Sequence, residues 1–312
     1  MGGMGYDVVV VGAAGVDTLV YVPDDVPDMS RDSTMVHTVD TVGQAGGFTA
    51  RGFARLGWAT AFTGALGDDW AADMVRAAFA ADGVVMAAEV LDPAGTARSV
   101  NLMTPDGRRR AFYDGRGHAQ VPAPPGAYRL VAEARLTLFH LSDWCRQLLP
   151  AAQRGAAVVA TDLQDVHDLD DPYRADFIAA SDVVFVSGAH LGDPAVAADR
   201  LLARGPEVVV VGLGDRGALA VSRAGAVLAP PPDLPLPVVD TNGAGDGLAV
   251  GFLHTAVLGR PEGAGSVAGM STDAMALALL AGQCAARWTC ARSGGDGLAT
   301  RADLARLCAM AG

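Results

Sequence analysis

Continuous apolar runs organise the second half of this chain. From about residue 130, Val- and Leu-rich segments recur: RLTLFHLS, AAVVATDL, DVVFVS, EVVVVGLG and LPVVD. Ala-rich stretches with helical spacing separate them. Uninterrupted apolar strands alternating with helices predict a parallel sheet covered on both faces. The opening YDVVVVGAAGVDTLVYV reads as another buried strand, a glycine turn and a second extended segment. Helical spacing follows over 51–57 and 69–81, with the short β segment ATAFTGALG between them. Two early β segments, about 17–41 and 95–115, do not fit the parallel order. The second alternates around Pro105-Asp106-Gly107, a hairpin signal. They predict a small sheet standing over the main one as a lid, with an antiparallel edge extension as the alternative. No repeat or low-complexity linker interrupts the chain. The expectation is one α/β domain over 1–312: a central, mostly parallel sheet flanked by helices on both faces, with a small β lid.

Glycine-rich turns after strands are where phosphate binds in such folds, and three qualify for inspection. Gly212-Leu213-Gly214-Asp215-Arg216-Gly217 satisfies GxGxxG, but ALAVSRAGAVLAP follows it, two β-like runs instead of a helix. A dinucleotide fingerprint needs that helix, so an NAD enzyme is not expected. Gly12 to Gly15 fails for the same reason and lacks the full pattern. In VVDTNGAGDGLAVGFLHTAVLG the context is right: LPLPVVD reads as a strand, residues 241–245 as the turn, and the rest as a buried helix stopped by Gly259. Free amides at a helix start bind anions, and Gly243, Ala244 and Gly245 carry nothing bulky enough to block a phosphate. Asp246 would stand beside such a phosphate, able to orient an acceptor hydroxyl and take its proton. The helix dipole predicts an ionised, weakly basic acid, which suffices for a loose phosphoryl-transfer transition state. The plainer alternative is a helix cap on a glycine turn.

Composition narrows the chemistry. All 23 basic residues are arginine, so a P-loop lysine, a Schiff-base lysine and a protein-kinase lysine are excluded. Any phosphate must be held by backbone amides, Arg or metal. The net charge of −12 argues against nucleic-acid binding, which relies on basic surface. Each apolar run is broken short of membrane-spanning length, and the N-terminus lacks the basic region of a signal peptide. Cys145, Cys284, Cys290 and Cys308 show no CxxC spacing, which fits a reduced, cytoplasmic compartment. His37, His118, His140, His167, His190 and His254 show no paired-ligand spacing, so a structural zinc is not expected. Arg108-Arg109-Arg110 reads as a solvated edge, or, within a lid, as a reach toward an anionic substrate.

These motifs together resemble the ribokinase, or phosphofructokinase-B, family of carbohydrate kinases. Asp240-Thr241-Asn242-Gly243-Ala244-Gly245-Asp246 resembles its C-terminal signature DTxGAGD, and residues 43–69 its N-terminal signature. GAAGVDTLVYV resembles the opening strand, VVVVGLGDRGALAV the nucleotide-side strand and hairpin, and ARSGG the loop closing the adenine pocket. The resemblance implies a ribokinase-like fold and an ATP-dependent kinase acting on a hydroxyl, expected to be primary, of a sugar or sugar-like acceptor. It makes Asp246 the general base and Gly243, Ala244 and Gly245 the anion hole. Asp17, Gly46, Gly47, Phe48 and Asp143 would face the acceptor, and Ser187, Gly212, Gly214, Gly217 and Gln283 the ATP. Asp240, Asn242, Cys290, Ser293 and Gly295 would surround a K⁺ ion. Mg²⁺ is implied by triphosphate chemistry, and a homodimer through the lid by the family's habit.

Two departures change the expectation. Phe48 stands where many sugar kinases of this family place a hydroxyl-binding Asn. The family's NxxE motif appears as Ser187-Gly188-Ala189-His190, without its acid, which leaves Asp162 as one candidate to hold metal. GAAGVDT, NLMTPDGRRR and FYDG resemble the acarbose-kinase type more than the ribose type, implying an oligosaccharide or cyclitol acceptor. A nucleoside kinase, with Phe48 stacking a base, and a sugar-binding regulator without catalysis are the alternatives.

Overall fold

The computed structural model describes residues 5–23, 30, 32–105, 109–117, 120–261, 266–295 and 297–312. Asp106, Gly107, Arg108 and His118 lie outside them. The valine run forms strand β1 (Val8–Val11), central in the main sheet. There follow β2 (Gly15–Tyr21), β3 (His37–Gly43), α1 (Ala45–Arg55), β4 (Thr60–Leu66), α2 (Trp70–Asp82), β5 (Val85–Leu91), β6 (Ala97–Met103) and β7 (Arg109–Asp114). The alternating half comprises α3 (Pro125–Glu133), β8 (Leu136–His140), α4 (Leu149–Gly155), β9 (Val158–Asp165), α5 (Ala175–Ala180), β10 (Val183–Ser187), α6 (Pro194–Leu202) and β11 (Val208–Gly212). The chain ends with β12 (Ala218–Ser222), β13 (Gly225–Ala229), α7 (Ala244–Leu253), α8 (Thr272–Cys290) and α9 (Arg301–Ala311). None of the helices among the described residues is long and apolar enough to cross a membrane.

The main sheet has nine strands in the order β13-β12-β11-β10-β9-β8-β1-β4-β5, parallel except at β12 and β13. Strand periodicity explains its two-sided core. Val8 and Val10 pack with Phe53 of α1, Phe79 of α2, Phe252 of α7 and Leu304 of α9. Val9 and Val11 point the other way, to Val131 of α3, Ala152 of α4, Phe177 of α5 and Leu201 of α6. The early β segments form a separate four-stranded sheet, β3-β2-β6-β7, as the lid expectation required.

One expected strand is absent. LPVVD, at 236–240, joins no ladder, because prolines at 230, 231, 232, 235 and 237 remove the donors a ladder needs. The segment is tethered instead by the amides of Val239 and Asp240, which both donate to the Cys290 carbonyl at the end of α8 (2.7 and 3.1 Å). Helix α7 is apolar all round and lies against α8. A methyl group on Gly251 would stand 2.4 Å from the Ala281 carbonyl oxygen, so the glycine permits direct backbone contact between the two helices. A short π-helical turn, His254–Leu258, carries the chain on to Gly259, the expected stop.

Candidate active site

The parallel strands all end on one side, where α/β sheets bind ligands. A cavity of about 930 Å³ opens there. It runs from Asp17, Ser99 and Asn101 under the lid, past Asp162 and Asp246, to Ser187, Gly212 and Gln283.

At the start of α7, Gly243 has φ 75°, a left-handed conformation that a side chain resists. The Phe48 ring stands 3.2 Å from where its Cβ would lie. Phe48 is only 2% exposed, so its ring supports the helix start from beneath. The ring is among the residues lining the cavity, but with so little of it exposed it offers no open face for a nucleobase. The first helical hydrogen bond runs from Gly247 N to Gly243 O (2.8 Å), which leaves the Gly245 and Asp246 amides without intrahelical acceptors. Ala244 N instead closes a turn on Thr241 O (3.2 Å) and is less available than the three-residue anion hole required.

Under the lid, Asp17 of β2 is buried and accepts from Gln44 Nε2 (2.7 Å), Ser99 Oγ (2.6 Å) and Asn242 Nδ2 (3.2 Å). Asn101 Nδ2 donates onward to Ser99 Oγ (3.2 Å), and Arg109 of β7 donates to Asn242 Oδ1. Gln44 holds φ 63° at the start of α1, and Gln164, also in the cavity wall, holds φ 57°. Such backbones are sparsely populated without glycine and gather at functional sites. Gln44, Ser99, Asn101 and Arg109 were not singled out as acceptor contacts from sequence; only the Arg109 run hinted at a reach from the lid.

Two further expectations need correction. Gly46 and Gly47 do not line the cavity. They let α1 settle on the turn after β1, where a Cβ on Gly46 would meet Ala13 O at 2.5 Å. Asp143 is not among its lining residues and pairs with Arg146 (3.2 Å). In the loop expected to surround K⁺, the Cys290 carbonyl takes two amides, and Asp240 takes Asn242 N (2.7 Å) and Gly294 N (3.1 Å) on its two oxygens. Asn242 turns its side chain to Asp17 instead, while Ser293 and Gly295 form a short turn beside Gly294. The nucleotide-side residues do come together: Ser187, Gly212, Gly214, Gly217 and Gln283 share the cavity wall.

The central cluster comes from register. His140, last in β8, pairs with Asp162 on β9, and Asp246 approaches from α7. One ligand atom of each lies within 4.8 Å of the others. Burial, then the like charge of Asp162, raises the Asp246 pKa well above the ordinary range, and Arg109 only moderates it. The weak base expected from the helix dipole is therefore overturned. Burial, aided by Asp165, lifts Asp162 to about 6. Burial holds His140 neutral, with its pKa lowered to about 3.

Comparison with known proteins follows the same lines. The profile of the pfkB family carbohydrate kinases matches residues 6–295. The acarbose 7(IV)-phosphotransferase of an Actinoplanes species is 36% identical over 270 residues, 82% of this chain and 86% of that protein. A microbiome-derived acarbose kinase superposes with a TM-score of 0.84 at 32% identity, covering 98% of this chain and all of the other. The ribokinase of Arabidopsis thaliana complexed with ribose and ATP gives a TM-score of 0.78 at 20% identity, covering 98% and 99% of the two chains, and so supports the fold alone.

Proposed function

The chain belongs to the PfkB family of carbohydrate kinases, phosphotransferases with an alcohol acceptor, and from that premise we propose that it uses ATP to phosphorylate a hydroxyl of an oligosaccharide or cyclitol-like sugar. The observation that carries the reading is the half-buried Asp246 carboxyl group, one oxygen of it fully buried, at a glycine-started helix tip midway along a single cavity. The cavity holds acceptor-type polar groups at one end and the strand ends at the other. The acceptor hydroxyls bind to Asp17, Gln44 and Asn101. ATP lies along Ser187, Gly212 and Gln283, with its γ-phosphate at the Gly245 and Asp246 amides. The acceptor oxygen forms a bond to the γ-phosphorus as the bond to the bridging oxygen breaks, its proton passes to Asp246, and ADP leaves. Arg109, reaching in from the lid, offsets charge on the transferring group, a task no lysine here can take.

The residues fit a divalent ion such as Mg²⁺ without the NxxE acid. Asp246 Oδ1 is buried without a hydrogen-bond partner, and Asp162 stands beside it. These two acids would hold the ion, which would supply charge neutralisation for the triphosphate.

Resemblance to the acarbose kinases supports the acceptor class, and buried Phe48 weighs against a nucleoside. The test is a panel of acarbose, maltotriose, an aminocyclitol, ribose and adenosine, followed by ADP release and mass spectrometry of the product. The oligosaccharide or cyclitol arms should be phosphorylated first. Preference for ribose or adenosine would refute the acceptor class, and sugar binding without ADP would leave only a regulator.

A further inference from the structure

We infer that His140, Asp162 and Asp246 together form a divalent-cation site with one imidazole nitrogen and two carboxylates, filled before any nucleotide binds. Thr49 Oγ1 lies 2.8 Å from Ala45 O and 2.9 Å from His140 Nε2; with its single hydrogen on that carbonyl, it is the acceptor toward the ring. In that arrangement Nε2 carries the proton, and Nδ1 is a bare lone pair. The Cδ2 edge of the ring faces Gly12 at the end of β1, 3.3 Å from the position a Cβ would take. Nδ1 lies on the opposite edge of the ring, and Asp162 on β9 is the residue paired with His140 in register. Nδ1 is buried and has no hydrogen-bond partner, and the same holds for Asp246 Oδ1.

A bare ring lone pair beside two carboxyl groups, one oxygen of which is also buried without a partner, offers a three-donor set to a cation. The dimensions agree. Donors about 2.1 Å from one ion stand at most about 4.2 Å apart, so a cluster within 4.8 Å closes onto an ion by side-chain rotations of roughly half an ångström. Thr49 fixes the ring as outer-shell partners of metal-bound histidines do. The nitrogen donor favours Mn²⁺ or Co²⁺ over Mg²⁺, which prefers oxygen and its own waters. One Asp246 oxygen on the ion leaves the other for the acceptor's proton.

The test uses Mn²⁺ and the full chain without nucleotide, read by calorimetry and by pulsed electron paramagnetic resonance. One Mn²⁺ per chain should bind, with nitrogen hyperfine modulation, and Mg²⁺ should displace it only at more than tenfold higher concentration. His140→Gln should weaken binding at least tenfold and abolish the modulation, and Asp162→Asn should weaken it comparably. Thr49→Val, which leaves all three ligands in place, should weaken it about tenfold by releasing the ring. This variant keeps the inference testable if His140→Gln does not fold. Absence of Mn²⁺ binding without ATP, a signal lacking nitrogen modulation, or binding indifferent to His140→Gln would overturn the site. ADP formation is not read in any arm, so such a failure would leave the kinase reading untouched.

Discussion

Asp162→Asn isolates the electrostatic load at the centre of the site. In the folded chain, burial raises the Asp162 carboxyl from an ordinary 3.8 to about 6. That gap corresponds to about 3 kcal/mol at 1.36 kcal/mol per pH unit. The direction is fixed by linkage: between about pH 4 and pH 6 the unfolded chain has lost this proton while the fold retains it. Stability therefore falls as pH rises through that window, and the full penalty is present above about pH 6. Asparagine has no proton to lose, and its side-chain oxygen can keep the 2.8 Å hydrogen bond from Gln164 N. Thermal melts followed by circular dichroism, with EDTA present, should show the variant and parent nearly level at pH 4.5. At pH 7.5 the variant should melt several degrees higher, since about 1 kcal/mol moves the midpoint of a chain this long by roughly 2 °C. Melting differences that stay the same at the two pH values would refute the reasoning.

Asp246→Asn should lower kcat by about 10²–10⁴-fold, the usual share of a general base, with ATP affinity by calorimetry little changed; near-normal turnover would remove Asp246 from the chemistry. Asp17→Asn replaces an acceptor of three hydrogen bonds and should raise the acceptor KM by about 10–100-fold while the ATP KM holds. Arg109→Ala should cut kcat/KM by at least about tenfold, whereas Arg110→Ala, whose guanidinium stacks on the exposed Phe112, should leave steady-state rates unchanged. Gly251→Ala forces a methyl group against the Ala281 carbonyl and should cost about 1–3 kcal/mol in urea unfolding.

The fold was legible because its signals are local and repeated. Valine runs such as 8–11 announce strands buried on both faces, and the failed GxGxxG at 212–217 correctly announced a hairpin, seen as β12 and β13. The helix tip at Gly243 was legible for the same reason: the turn, the φ-tolerant glycine and the acid are contiguous. LPVVD failed because its hydrophobicity was read without its missing donors. Ser99, Asn101 and Arg109 were not assigned to the acceptor side because the lid strands are polar on the face that covers the cavity, and polarity there looks like solvent exposure. The nearest available signal was the alternation of ARSVNLM, which puts Ser99 and Asn101 on one face.

The His140–Asp162–Asp246 cluster shows where local reading reaches its end. From the sequence of one turn, Asp246 has a single electrostatic neighbour, the dipole of its own helix, which favours the anion by about 0.3–1 kcal/mol. Register then brings Asp162 within 4.8 Å. At an effective dielectric of 20, two ionised carboxylates at that distance repel by about 3.5 kcal/mol, before any loss of hydration is counted. The tertiary contribution is several times the local one and opposite in sign, so the acid ends as a stronger base than its helix alone would make it. Two such acids stay charged together only beside a cation. Arg109 gives partial relief, and a cation held with His140, as inferred above, would supply the rest. A base built this way is switched on by what binds next to it, which couples proton acceptance to the arrival of positive charge.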